Sequence, residues 1–129
     1  MQMKRMLPLA AAVAVLAAPA ASAKEGAQAH LLAPLPAHPL VGSLISVRWS
    51  VDVPGTHGKR RPFGAIGMFV RLVGRDDAST RATAQQYEPP YHARIRVPAG
   101  GIRSIRFGLM GTGCDPSGCK PSPIFFPLR

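Results

Sequence analysis

The sequence predicts an all-β domain, a small antiparallel sandwich of about seven strands. Three observations carry that reading. Residues 41–53 alternate, with Ile45, Val47, Trp49, Val51 and Val53 on one face and Ser46, Arg48, Ser50 and Asp52 on the other. A two-residue period sends successive side chains to opposite faces of a strand, so one face is set for burial. Residues 91–97 repeat the pattern, with Tyr91, Ala93, Ile95 and Val97 inward and His92, Arg94 and Arg96 outward. Turn signals rich in Gly, Pro and Asp separate such runs at short intervals, and no stretch after residue 23 sustains a helical period.

Taken in order, residues 24–40 form an extended Pro/Ala-rich leader. Pro34, Pro36 and Pro39 deny it a helix, and one further strand is a candidate within it. The domain then spans residues 41–129. Its first strand carries the only tryptophan, Trp49, which belongs at the centre of the core. Residues 54–62 read as a loop containing the basic cluster Lys59-Arg60-Arg61. Residues 65–73 are a second strand, but Phe69-Val70-Arg71-Leu72-Val73 is so continuously apolar that its inward side is ambiguous. A turn over 74–79 leads to a polar edge strand over 80–86. Beyond Glu88-Pro89-Pro90 come the strand over 91–97, a hairpin loop at Pro98-Ala99-Gly100-Gly101, and a strand over 102–109 with Ile105, Phe107 and Leu109 on one side. Residues 111–123 form a loop bearing both cysteines, and Ile124-Phe125-Phe126 is a short final strand.

Ahead of the domain, residues 1–23 have the three parts of a secretory signal peptide. Lys4 and Arg5 are basic, the following apolar run is too short for a permanent span, and Ala21-Ser22-Ala23 is a small-x-small cleavage site. The expectation is a secreted or periplasmic protein that does not span a membrane once cleaved. Without Lys4 and Arg5 the chain keeps 14 Lys and Arg against 6 acids, a net charge of +8. Such a surface attracts anions, and export argues against a nucleic-acid partner. In an oxidising compartment Cys114 and Cys119 are expected to pair, closing a tight turn over Asp115-Pro116-Ser117-Gly118. The spacing is wrong for a redox Cys-x-x-Cys pair.

The segment Tyr91-His92-Ala93-Arg94-Ile95-Arg96-Val97-Pro98-Ala99-Gly100-Gly101-Ile102 resembles a hairpin of small exported immunoglobulin-like families, the YtkA-like domains among them. With the strands around Trp49 and Phe69-Val70-Arg71-Leu72, the similarity covers residues 41–109. It implies an immunoglobulin-like sandwich and no defined catalytic activity.

The residues themselves also point away from an enzyme. Nucleophilic catalysis needs a Ser or Cys held against an oriented base, and the chain has no Gly-x-Ser-x-Gly elbow. Asp76-Asp77 suits a solvated turn, and Gly111-Thr112-Gly113 precedes a cysteine turn rather than a phosphate-binding helix. The expected function is a non-catalytic binding or interaction module of the cell envelope, with no cofactor. Its partner would be a protein or an anionic envelope component. Arg48, Arg94, Arg96 and Arg106 all face outward, and gathered on one sheet they would form an anion-binding surface. The alternative is copper. A cut after Ala27-Gln28-Ala29 would expose His30-Leu31-Leu32-Ala33-Pro34 at the N-terminus, which resembles exported CopC-type copper-binding sandwiches. There the amine and imidazole chelate copper, with His92 or His57 completing the set here. The C-terminal Asp-x-His pair of that family is missing. Met68 and Met110 are expected to pack rather than ligate.

Overall fold

A computed structural model describes residues 26–129; residues 1–23, expected from the sequence to be a signal peptide, lie outside them. Two antiparallel sheets pack face to face as a sandwich of eight strands, with no α-helix among the described residues. In the first sheet β1 (Gln28–Leu31) and β6 (Tyr91–Arg96) flank the long β2 (Leu44–Pro54), and the short β3 (Arg60–Pro62) joins the far end of β2. The second sheet has the order β5-β4-β7-β8, from β4 (Met68–Val73), β5 (Ser79–Thr83), β7 (Ser104–Asp115) and β8 (Gly118–Phe126).

The alternation read from the sequence sets the burial. Val47, Trp49 and Val51 of β2 and Tyr91, Ala93 and Ile95 of β6 are buried, while Arg48, His92, Arg94 and Arg96 are exposed. From the other sheet Met68, Val70, Leu72, Phe107 and Phe126 complete the core. Trp49 is at its centre, with ring centroids 5.1 Å from Phe107 and 5.7 Å from Tyr91. It therefore couples the two layers.

Four expectations need correction. Part of the leader belongs to the fold: β1 pairs with β2, and Ala27 and Ala29 are buried. Ala29 also bridges Leu128, donating to Pro127 O at 2.8 Å and accepting from the Arg129 N–H at 2.9 Å. The leader's alternating Ala27 and Ala29 were short enough to be hidden in its Ala/Pro-rich composition. Second, Arg60 and Arg61 lie in β3 rather than in a loop. Third, residues 98–103 are not a hairpin loop. β6 pairs with β2 and β7 with β4, so this segment crosses from one sheet to the other.

The fourth is the cysteine loop, which is a two-stranded finger. β7 and β8 stay paired from Phe107↔Phe126 out to Asp115↔Gly118, so only Pro116 and Ser117 turn. Asp115 Oδ1 accepts from the Ser117 N–H at 2.8 Å and from its hydroxyl at 2.5 Å, the local chemistry that closes such a turn. Cys114 and Cys119 face each other across the finger as a disulfide. Met110 N–H donates to Gly67 O at 3.0 Å, so the even-numbered residues of β7 aim their main-chain groups away from β8. Their partners Pro121 and Pro123 then lie on the free edge of β8, where a proline offers no donor to a stray strand. Because the disulfide closes so small a ring, its reduction should lower stability by no more than about 2 kcal/mol. The expected signature is faster amide exchange at residues 112–120 with the rest of the sandwich still protected. Global unfolding on reduction would contradict it.

Candidate functional site

The four arginines grouped by the sequence do not share a sheet. Arg48, Arg94 and Arg96 are on the outward face of the first. Arg48 stands opposite His92, Arg94 opposite Ser46 and Arg96 opposite Leu44, so no two of them are directly paired. Arg96 is committed locally, donating to Gly42 O at 2.9 Å. Arg106 is on the second sheet, because β7 pairs with β4 and β8.

There Arg106 meets two arginines that the sequence reading passed over. Arg71 of β4 lies directly opposite Arg81 of β5 on one side and Arg106 of β7 on the other. Three guanidinium groups thus form one row across three neighbouring strands. Like charges at directly opposed positions repel. Neither ion pair among the described residues relieves them, since both belong to Asp52.

Beside the row lies an aromatic shelf, two residues along each strand. Phe69 and Phe125 meet edge to face, with centroids 5.7 Å apart and planes at 80°. Gly108 separates them in the register. The Arg106 guanidinium carbon sits 3.7 Å from the Phe125 centroid, and that of Arg81 is 5.6 Å from the Phe69 centroid. These cation–π contacts give the two outer arginines preferred positions. A shallow hollow of about 260 Å³ is lined by Phe69, Arg71, Ser79, Arg81 and Phe125 among others. The chemistry on offer is unneutralised positive charge, positioned by the rings beneath it, next to hydroxyl groups.

The signal for Arg71 was in the sequence. It is the only charged residue in residues 69–73, so burying Val70 and Leu72 has to turn Arg71 outward together with Phe69. What the sequence did not supply was the strand order that aligns Arg71 with Arg81 and Arg106.

The histidines of the copper alternative are not brought together. His30 and His92 sit on opposite edges of β2, across from Ser50 and Arg48. His57 is in the turn between β2 and β3. No group of three His, Cys, Asp or Glu side chains converges among the described residues. A chain beginning at His30 would also lack the buried Ala27 and Ala29. His30 instead accompanies Arg60 on Asp52. Its Nε2 lies 2.7 Å from Asp52 Oδ2, and Arg60 Nε donates to Asp52 Oδ1 while its Nη2 donates to Gly26 O at 2.6 Å. This clasp fastens β1 and β3 to β2.

Burial alone would raise the Asp52 pKa, but hydrogen bonds from Arg60 and His30, aided by their charges, hold it below its ordinary value. Folding therefore favours the ionised form. The stabilisation is fully present above the ordinary value of 3.8 and is lost as pH falls through the lowered folded value. Asp52→Asn should consequently be less stable than wild type at neutral pH, and the gap should narrow on acidification below about pH 4. Denaturant melts of both proteins along a pH series test this; a gap that widens in acid would be the contrary result.

The core holds two further polar groups. Tyr91 donates to Phe63 O at 2.8 Å and accepts from the Ala65 N–H at 3.2 Å; burial pushes its hydroxyl pKa up. Trp49 Nε1 is buried without a hydrogen-bond partner. A wider hollow of about 800 Å³ opens between residues 62–66 and 87–89, with Ile66 and Tyr87 largely exposed, but Glu88 is the only charged group lining it.

Comparison with family models, with curated proteins and with solved structures finds no match to this chain.

Proposed function

We propose that this chain is an exported, non-catalytic binding module of the cell envelope that holds an anionic ligand on the outward face of its second sheet. The observation that carries the reading is the in-register row Arg81–Arg71–Arg106 with no carboxylate paired to it. A bound anion would relieve the repulsion along the row, and each guanidinium can grip a carboxylate or phosphate bidentately. The disulfide and the lack of any described helix long and apolar enough to cross a membrane are compatible with work outside the cytoplasm. The basic, apolar, small-residue order of residues 1–23 supports export.

Two triple variants of equal charge separate this surface from mere net charge. On a carboxylate cation-exchange resin, Arg71→Gln/Arg81→Gln/Arg106→Gln should elute at clearly lower salt than Arg48→Gln/Arg94→Gln/Arg96→Gln. Co-elution of the two would mean that retention follows total charge and that the row is not a site. Melting curves of both variants establish that they are folded.

A further inference from the structure

We infer that the anion bound by this row is a linear acidic polysaccharide lying across the strands. The inference rests on the anion-binding reading above and adds the class of ligand. Neighbouring strands are about 4.8 Å apart, so the three guanidinium groups rise from positions spanning roughly 10 Å. With the two outer groups held over Phe69 and Phe125, one carboxylate or phosphate does not engage all three without pulling them off their rings. A chain carrying several acidic groups can, if it runs perpendicular to β5, β4 and β7. β5 is an edge strand, so the row has no wall at that end. Beyond Arg106 the register leads only to Pro127, past the end of β8. A polymer longer than the row can therefore pass over it.

The flanks of the row distinguish a sugar chain from other polyanions. On one side Ser79 and Ser104 stand on either side of Val73, at the next outward position of β5 and β7. On the other side are Thr83 and the Phe69–Phe125 shelf. Charge is thus bordered by hydroxyl groups on both sides. That suits a chain whose units carry both a carboxylate and hydroxyl groups, whereas polyphosphate carries charged oxygens and no hydroxyl-bearing rings. Single-stranded nucleic acid binds by laying bases on open aromatic faces. Here Phe69 is 1% exposed and the face of Phe125 is covered by Arg106, so no such platform is open. The stacked arginines also lose less freedom on binding, which favours a ligand gripped at several points.

The test titrates the full chain at low salt with galacturonate, digalacturonate, trigalacturonate and tripolyphosphate. Trigalacturonate should bind at least about tenfold more tightly than the monomer, and Arg71→Gln should weaken it by about tenfold, the range expected for one hydrogen-bonded charged contact. Ser79→Ala/Ser104→Ala should weaken trigalacturonate and leave tripolyphosphate unchanged. Equal affinity for monomer and trimer, or an equal loss for both polyanions in the serine variant, overturns the polysaccharide inference and leaves the anion site standing. Binding that survives the Arg71/Arg81/Arg106 triple variant, or no binding by any of the four, overturns both.

Discussion

Trp49→Ala should cost about 3–5 kcal/mol, a large share of the 5–15 kcal/mol that holds a domain of this size together. The indole is fully buried and touches the rings of Tyr91 in its own sheet and Phe107 in the opposite one, so truncation opens a void where the two layers meet. Trp49→Phe is expected to be far milder. It leaves a smaller void and also removes the Nε1–H, a buried donor that has no partner and carries a desolvation penalty of about 1–3 kcal/mol. Denaturant melts followed by circular dichroism read both variants without relying on tryptophan fluorescence. Phe as damaging as Ala, or Ala within about 1 kcal/mol of wild type, would show that the core does not depend on this side chain.

Gly108→Ala is the second large effect, and it reaches the proposed anion-binding face as well as the fold. A Cβ there would sit 2.5 Å from Phe69 Cζ and 2.6 Å from Ile124 O. The ring can swing aside, but the carbonyl belongs to the β7–β8 ladder and moves only if the strands part. Such overpacking costs about 1–3 kcal/mol. At Gly111 the same methyl would meet Ser122 O at 3.2 Å, so Gly111→Ala should be tolerated much better and serves as the control. The Gly108 variant should also displace Phe69 from Phe125, loosen Arg81 and Arg106, and weaken anion retention. Unaltered stability together with unaltered retention would mean that the aromatic shelf does not hold the arginines.

The extent to which this molecule could be read from its sequence follows the range of the interactions involved. The sandwich was legible because burial of one face is recorded locally, in the alternation through Trp49 and through Tyr91. The pairing of Cys114 with Cys119 was legible because both residues sit in one short turn region. The site was legible only in kind. Outward-facing arginines can be counted along a strand, but which of them stand side by side depends on strand order, and that is set by contacts distant in sequence. Arg106 was therefore grouped with Arg48, Arg94 and Arg96 instead of with Arg71 and Arg81. The finger was mistaken for a loop because Gly111, Gly113, Pro121 and Pro123 carry turn chemistry while the ladder behind them extends the strands. β1 was legible only as an unplaced candidate strand of the leader, because its one buried residue is Ala29, whose burial leaves little trace in a hydrophobic pattern.

The pairing of Ala29 with Pro127, Leu128 and Arg129 has a consequence for how the chain matures. A ribosome delivers β1 well before Pro127, Leu128 and Arg129, so this seam cannot close until those residues have emerged. Until then every strand of both sheets can be present while β1 still lacks the contact that ties it to residues 127–129.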